Sequence, residues 1–429
     1  MEKRRLRWEL IVLACMYVGY MGFILCRTAI YTASPAMVGD PALGLTKTMF
    51  GKILGWGTAG MVTGKLLNGV VADRFGGRAV FLLALLITAV GAGAFGLGGG
   101  FAFFAFLNFT MLLAAAAGWP AMAQLISAWY EPAKYGRIWG IISTSSRLSS
   151  VLSTLFLGAL LAILAWQRLF LAAGALTGAA ALIIGVFLKG SPSAVGLSAP
   201  QAQSPGGAAA PHPLDEVGLA GALKSFAASG RFWLICVSLM CTTVLMELIG
   251  FLPLYMKEVF SVSPAQAATA SAVFPAGCFA ALIAGGFIYD KISRKGRIFL
   301  LGGMLALSCL CLAGLLALMR LPHAGAGGLA TAVLILFLYG LTVAPAYYLP
   351  MSVFSIEFGG KRCGVLIGII DAAGYGASML YQFRGGAMVD QPGGWEKMLA
   401  LLLVVAALAA ATTASFAYQD SVAQKQLGL

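Results

Sequence analysis

The chain has 429 residues, of which 60% are hydrophobic and 10% are charged, and its mean hydropathy is +0.91. Soluble domains carry about 25% charged residues, so this composition excludes a soluble enzyme and indicates a membrane protein with many spans. The formal net charge of +13 is explained by the position of Lys and Arg relative to a membrane, and it does not indicate binding to nucleic acid.

Apolar stretches of spanning length recur along the whole chain. A transmembrane helix needs about 20 consecutive, mostly apolar residues. Twelve such stretches occur, at residues 8–37, 49–72, 79–98, 101–129, 137–163, 168–188, 231–256, 264–289, 298–319, 325–355, 361–388 and 395–418. We therefore predict an all-α membrane protein with twelve transmembrane helices.

Basic residues are distributed unevenly between the two sides of the predicted membrane. With the N-terminus inside, the cytoplasmic segments receive most of the Lys and Arg residues. The outer side receives Lys47, Lys52, Arg168, Lys257, Arg320 and Lys397. The positive-inside rule then places both termini in the cytoplasm, and we expect the protein in the bacterial inner (plasma) membrane.

One long polar stretch interrupts the apolar pattern near the middle of the chain. Residues 190–226 contain several Pro residues and a Gly-Gly-Ala-Ala-Ala run, a composition typical of a flexible linker. The predicted organisation is an N-terminal six-helix half at residues 1–189, a cytoplasmic linker at 190–226, and a C-terminal six-helix half at 227–429.

A short charged motif occurs once in each half, which indicates an internal duplication. It comprises Gly69, Asp73, Arg74 and Arg78 after the second span, and its copy after the eighth span includes Asp290. Two parallel six-helix repeats are typical of a major facilitator fold, and the first motif resembles the loop signature of the major facilitator superfamily. The resemblance implies two pseudo-symmetric halves whose rocking is gated at this loop, where glycine permits close packing.

Several other short motifs lie in the first half. They include Gly64-Lys65, Gly118-Trp119-Pro120, Trp129-Tyr130-Glu131-Pro132 and Ser191-Pro192-Ser-Ala-Val-Gly196-Leu197. Together these motifs resemble the organophosphate:phosphate antiporter family, which includes the glycerol-3-phosphate and glucose-6-phosphate transporters. The second half contributes mainly the string from Pro253 to Val259, so the resemblance is much closer for the first half than for the second.

The resemblance implies a substrate phosphate held by one Arg from the first span and one from the seventh, with a Lys of the second span nearby. Arg27 and Lys65 match the first-half positions. Leu245 occupies the position of the seventh-span Arg, and the nearest charge is Glu247, which has the opposite sign. Arg147 stands where the family more often has a small polar residue. We therefore expect a substrate-binding site whose charged residues differ from those of the family.

Charged side chains within the predicted spans are the main candidates for this site. Each costs roughly 2.5–3.5 kcal/mol at the centre of a span, so each needs a partner or a water-filled cavity. They are Arg27, Lys65, Arg147, Glu247, Asp371 and Arg384. All lie on spans that, by resemblance to the superfamily, line a central cavity. Lys65 and Arg384 lie within a few turns of an interface and can instead extend toward water.

Helical spacing places aromatic and polar side chains beside these charges. Tyr20, Arg27 and Tyr31 share one face of the first span, and Tyr347 and Tyr348 lie between two prolines, where we expect a broken helix. Polar stripes occur on the fifth span at Ser143, Arg147, Ser150 and Thr154, and on the eleventh at Asp371, Tyr375, Ser378 and Gln382. The predicted substrate-binding residues are Arg27, Arg147, Tyr20, Tyr31, Lys65, Tyr347, Tyr348 and Tyr375.

The same charges have a competing structural interpretation. In that interpretation Arg27 or Arg147 pairs with Glu247 or Asp371, and these interior ion pairs hold the two halves together. The sequence leaves both interpretations open.

The charge pattern also leads to a prediction of mechanism. An anion arriving at Arg27 competes with the carboxylates, and protonation of Glu247 or Asp371 releases an Arg to the anion, which predicts proton-coupled symport. The expected substrate is a small anion, with or without an ammonium group that makes it zwitterionic: an organophosphate, a phosphonate or a carboxylate. The alternatives are organophosphate/phosphate exchange, with phosphate as the coupling ion, and a non-transporting membrane sensor of the same fold. We expect a monomer in the lipid bilayer, without enzymatic activity, cofactor, metal site or nucleic-acid partner.

Overall fold

The computed structural model describes residues 2–198, 218–288, 292, 294–320, 325–359 and 363–426. Over these residues the chain is α-helical and contains no β-strand. The α-helices are α1 (Glu2–Val38), α2 (Lys47–Phe75), α3 (Gly77–Phe95), α4 (Phe101–Ala115), α5 (Gly118–Trp129), α6 (Tyr135–Leu161), α7 (Trp166–Phe187), α8 (Leu219–Ala228), α9 (Gly230–Met246), α10 (Leu252–Phe260), α11 (Pro264–Ser271), α12 (Val273–Ile288), α13 (Arg294–Met319), α14 (Gly325–Gly359), α15 (Cys363–Val389) and α16 (Gly394–Gln426). Most of the predicted linker, residues 199–217, lies outside the described residues.

The predicted apolar stretches correspond to single helices or to consecutive helix pairs. The pairs are α4 with α5, α9 with α10, and α11 with α12. Within the described part of the chain, 9 helical segments are long and apolar enough to cross a membrane. The remaining predicted spans, α2, α6 and α15, are also long, but Gly, Ser and the charged residues Lys65, Arg147 and Asp371 lower their hydropathy. Each of these three helices of lower hydropathy therefore carries at least one predicted site residue.

Contacts between helices divide the chain into two compact units. The first unit comprises Met1–Ala208 and Ser263–Ala272, and the second comprises Ala209–Val262 and Val273–Leu429. The short helix α11 therefore belongs to the first unit, in which it packs on α6.

The first unit is built around α1, which packs against α3, α6 and α7. Glycines permit this close approach. A Cβ on Gly19 would lie 2.5 Å from the ring of Phe81, and a Cβ on Gly22 would lie 2.9 Å from Thr177. Phe23 also contacts Phe81 edge-on, with 5.7 Å between the ring centroids. Aromatic rings against small residues provide the close packing that holds helices together in a membrane.

The contact between α2 and α4 offers a test of this packing. A Cβ at Gly60 would collide with the main-chain carbonyl of Phe109, and a rotation of side chains cannot relieve that collision. We expect Gly60→Val to lower the free energy of unfolding by about 1–3 kcal/mol, measured as a lower melting temperature of the purified protein. Gly140→Val is the matched control, because no described atom outside its own helix turn lies within 4 Å of that Cβ position. Equal melting temperatures for the two variants would contradict the packing.

In the second unit, the seventh span is interrupted where α9 ends at Met246. A 3-10 turn, Glu247–Gly250, separates α9 from α10, and Pro253 stands in the first turn of α10. Proline has no N–H to donate to the preceding turn and its ring clashes with that turn, so one α-helix does not continue through this segment. The Tyr339 hydroxyl of α14 donates to the carbonyl oxygen of Leu245 at 3.1 Å. This bond satisfies an acceptor at the end of α9.

Candidate functional site

Arg27 lies on α1 in the first unit and is half-buried. Its Nε donates to the hydroxyl oxygen of Tyr31 at 2.6 Å, and its Cζ lies 5.5 Å from the centroid of the Tyr31 ring. Tyr31 is only 7% exposed. The buried ring therefore fixes the orientation of the guanidinium, a positioning role for Tyr31 that the sequence did not predict.

Tyr20 lies on the same face of α1 but contacts a different group. Its hydroxyl oxygen accepts a hydrogen bond from Trp119 Nε1 at 2.6 Å, and the two ring centroids are 5.2 Å apart. Trp119 in turn stacks on Trp139, with 5.2 Å between the ring centroids. Tyr20 therefore belongs to an aromatic cluster that the sequence did not predict.

The helix that carries Arg147, α6, runs parallel to α1. The Tyr17 hydroxyl lies 3.1 Å from Thr144 Oγ1, and Ser149 Oγ donates to the carbonyl oxygen of Met21 at 3.0 Å. The paired residues are 127 positions apart in the first contact and 128 in the second. The two contacts thus define the register between the helices.

This register separates the two predicted arginines along the helix axes. It places Arg147 level with Tyr20, and Arg27 level with Thr154. Tyr20 and Arg27 are seven residues apart in the chain, which corresponds to about 10 Å along an α-helix. Joint binding of one small anion would therefore require the two Arg side chains to extend toward each other.

Lys65 is half-buried on α2. The preceding residue, Gly64, is where α2 approaches the chain between α4 and α5, because a Cβ there would lie 2.6 Å from Ala116 and from the carbonyl oxygen of Leu113. Lys65 therefore follows directly on a close contact of α2 with the C-terminal end of α4.

Glu247 is buried in the second unit, at 5% exposure, where the seventh span breaks. The Nε2 of Gln382, on α15, donates to Glu247 Oε2 at 2.9 Å. Close contact between α9 and α15 holds this pair together, since a Cβ on Gly374 would lie 2.7 Å from Thr243 Oγ1. The sequence placed Gln382 in a polar stripe but did not predict it as the partner of Glu247.

Asp371 and Tyr375 are half-buried one turn apart on α15. Gln382 follows Asp371 by eleven residues, about 16 Å along the helix. The two predicted proton-binding carboxylates therefore lie at different depths, because Gln382 contacts Glu247.

Tyr347 and Tyr348 are half-buried neighbours on α14, and their rings meet edge-on with 4.8 Å between the centroids. Tyr347 also packs against an apolar cluster that includes Phe354. The expectation of a broken helix at these residues was wrong, because α14 runs from Gly325 to Gly359 with two prolines inside it. Neighbouring helices in a membrane protein can accommodate an internal proline without ending the helix.

The predicted gating loop is held by side chains at the junction of α2 and α3. Gln124 Nε2 donates to Asp73 Oδ1 at 2.7 Å. Arg78 donates from Nε to the carbonyl oxygen of Leu188 at 2.7 Å and from Nη2 to that of Gly185 at 2.9 Å. The motif thus ties the start of α3 to the C-terminal end of α7.

The glycines of this motif have different roles. Gly76 has a φ of +82°, which favours glycine, and a Cβ on Gly77 would collide with the carbonyl of Ala121. At Gly69 a Cβ would meet no described atom within 4 Å, so the close packing expected there occurs at Gly77. Arg74 is exposed and lies over the Phe75 ring at 5.7 Å. The copy of the motif at Asp290 lies outside the described residues.

Arg78 gives a test of the loop. The last carbonyls of a helix lack donors within the helix, and a positive charge is favourable there. We expect Arg78→Lys to lower the free energy of unfolding by about 1 kcal/mol, because an ammonium does not match the two-point contact. The melting temperature measures the effect, with Arg137→Lys as the exposed control. No difference from the control would show that the two Arg78 bonds do not stabilise the protein.

Residues 16–382 match the Major Facilitator Superfamily, and the chain belongs to that superfamily. The match confirms the predicted fold class and shows that the protein is an integral membrane protein.

Curated relatives are similar at low identity. A probable hexose phosphate transport protein of Chlamydia pneumoniae is 24% identical over 196 residues, which are 46% of this chain and 43% of the relative. The membrane sensor protein UhpC of Escherichia coli strain K12 is 25% identical over 305 residues, 68% of this chain and 66% of the relative. The probable sulfoacetate transporter SauU of Cupriavidus necator is 25% identical over 411 residues, 92% of this chain and 90% of the relative. The chain therefore spans less than half the length of the Chlamydia relative. The predicted resemblance to organophosphate transporters is confirmed at this low identity.

A solved structure supports the fold. The crystal structure of a bacterial homolog of the human lysosomal transporter Spinster, inward-facing and unoccupied, has a TM-score of 0.73 and is 16% identical in sequence. The alignment covers 96% of this chain and 97% of that chain. At this identity the likeness concerns the fold alone.

Proposed function

We propose that the protein is a secondary transporter that moves a small organic anion across the membrane by alternating access. The observation that carries the proposal is Arg27, a half-buried guanidinium on a spanning helix whose Nε is held by the buried Tyr31. An ionisable residue within a span is costly and marks a substrate pathway. The planar guanidinium matches phosphate and carboxylate oxygens at two points. In this proposal Tyr31 orients the guanidinium, and the guanidinium binds the anion.

The names of two relatives support this substrate class. Hexose phosphate and sulfoacetate are both small anions, and the proposed substrate is an organophosphate, a phosphonate or a carboxylate, with or without an ammonium group. Arg27 is its principal anchor. The further contacts in this proposal are Arg147, Tyr20, Tyr31, Lys65, Tyr347, Tyr348 and Tyr375. The protein works as a monomer in the bacterial inner membrane, with both termini in the cytoplasm.

Protons drive uptake in this proposal, and Glu247 or Asp371 binds the proton. The burial of Glu247 supports this role, because a carboxylate inside a membrane protein is costly without a function. A proton on the carboxylate compensates the charge of the anion that enters with it. Exchange of the anion for phosphate needs neither carboxylate.

A panel of ligands tests the substrate class. Sugar phosphates, glycerol phosphates, phosphonates, zwitterionic phosphoesters and carboxylates are added to the purified protein, and its melting temperature is measured. A true substrate at 100 times its Kd stabilises the folded protein by about 2.7 kcal/mol. We expect at least one anion to raise the melting temperature and neutral sugars to have no effect. Stabilisation by neutral sugars alone would contradict an anion site.

A membrane sensor of the same fold is the second candidate, and the similarity to UhpC favours it. Counterflow separates the two functions. Liposomes that contain only this protein are loaded with the unlabelled anion, and entry of the labelled anion is followed. A transporter exchanges the label, whereas a sensor binds the anion without flux.

A further inference from the structure

A polar cluster inside the second unit surrounds the break in the seventh span. Glu247 begins the 3-10 turn and accepts a hydrogen bond from Gln382 at 2.9 Å. One turn before Glu247, Thr243 lies against Gly374 of α15. Residues 374 and 382 therefore mark the face of α15 that contacts the end of α9.

Ser378 lies on this same face, four residues from both Gly374 and Gln382. It is 0% exposed. Its position places the side chain against α9 between Thr243 and Glu247. Among the described residues, Ser378 Oγ has no hydrogen-bond partner. A buried hydroxyl without a partner is costly, so its presence one helical turn from Gln382, which donates to Glu247, indicates a ligand.

Tyr381 is a second hydroxyl of the same kind. It is 6% exposed, its ring meets that of Phe251 edge-on at 6.0 Å, and its hydroxyl also has no partner in the described part of the chain. It directly precedes Gln382, the residue that donates to Glu247. Two unsatisfied hydroxyls therefore accompany one carboxylate in one buried cluster.

We propose that Glu247, Gln382, Ser378 and Tyr381 bind a monovalent metal cation, Na⁺. Carboxylate, amide, hydroxyl and phenol oxygens are ligands that a hard cation prefers, and interrupted helices provide ion sites in other transporters. The single carboxylate matches a single positive charge.

The surroundings favour a monovalent over a divalent ion. Within the described residues there is no group of three or more His, Cys, Asp or Glu side chains that could hold a metal ion. Asp371 lies about 16 Å along α15 from Gln382. Arg384 is exposed and follows Gln382 by two residues, so it lies on another face of the helix. The proposed cation site depends only on the geometry of this cluster. A role of the bound cation in driving transport rests on the proposed transport function.

Binding of radiolabelled sodium ions to the purified protein tests this inference without any measurement of transport. We expect saturable binding of sodium ions at about pH 8. Glu247→Gln should abolish the binding, and Ser378→Ala should weaken it roughly tenfold. Ser308→Ala is the matched control, since Ser308 is equally buried but its hydroxyl donates to the carbonyl oxygen of Leu305.

Tyr381→Phe gives a second variant if Ser378→Ala fails to fold, because it keeps the ring contact with Phe251. It should also weaken sodium binding roughly tenfold. Absence of saturable binding to the wild-type protein, or unchanged binding to Glu247→Gln, would overturn the sodium site. Neither result would contradict anion transport or its dependence on protons, which the liposome experiments test separately. Sodium binding without anion flux would instead contradict the proposed transport function.

Discussion

Replacement of Arg27 by lysine is expected to abolish anion counterflow while the protein remains folded. Lysine keeps the positive charge but loses the planar fork that contacts two oxygens of an anion. It also loses the Nε that donates to Tyr31 at 2.6 Å. Hydrogen bonds to charged groups contribute about 1.5–3 kcal/mol each, so counterflow should fall at least about 100-fold. The measurement is the initial rate of labelled-anion entry into liposomes loaded with unlabelled anion.

Two further variants make this result specific. Arg168→Lys changes an exposed arginine of α7 and should leave counterflow at the wild-type rate. Tyr31→Phe keeps the ring beneath the guanidinium but removes the oxygen that accepts from Arg27, so it should raise KM roughly tenfold while the maximal rate changes less. Full activity of Arg27→Lys would show that Arg27 is not the anchor.

Replacement of Glu247 by glutamine is expected to separate exchange from coupled uptake. Glutamine has the same shape and keeps a carbonyl oxygen that can accept from Gln382, so the packing of α9 on α15 should persist. It does not take up a proton, however, and the variant should lose accumulation driven by a pH gradient. Counterflow requires no net proton movement and should remain within about threefold of wild type, a difference of less than 1 kcal/mol.

Asp371→Asn distinguishes between the two carboxylates, which the helix register separates along α15. The residue whose variant loses accumulation but keeps counterflow is the proton-binding group. Glu258→Gln is the control, since Glu258 accepts a hydrogen bond from Trp395 at 2.8 Å and is exposed. Retention of gradient-driven accumulation by both Glu247→Gln and Asp371→Asn would move proton binding to another group.

The helices and the charged residues within them were predictable from the sequence, because both depend on local composition. Apolar stretches of about 20 residues predicted the spans, and the cost of a charge inside a membrane identified Arg27 and Glu247 as candidates. The face shared by Tyr20, Arg27 and Tyr31 also followed from the period of a helix. Within one helix, sequence spacing therefore predicts which side chains are neighbours.

Contacts between helices were not predictable in the same way. Gln382 contacts Glu247 across 135 positions in the chain, and Trp119 contacts Tyr20 across 99. A single sequence does not specify the register between two helices. The separation of Arg27 and Arg147 by about 10 Å along the axes of α1 and α6 was therefore visible only in the structure.

Proline gave opposite outcomes at two places. Pro253 marks the break between α9 and α10, whereas α14 continues through Pro345 and Pro350. Proline always removes one backbone donor, but the neighbouring helices determine whether the helix ends. The presence of a proline therefore does not by itself predict whether a helix ends.

Uptake into sodium-free and phosphate-free liposomes that contain only this protein tests the central claim most directly. The labelled anion identified by the ligand panel is supplied outside, and a pH gradient, acidic outside, is imposed. Anion–proton symport predicts accumulation above the outside concentration, accompanied by acidification of the interior and abolished by a protonophore. Uptake that ignores the gradient and requires phosphate inside the liposomes would contradict proton coupling and indicate exchange. Saturable binding of the anion without any uptake would contradict transport itself.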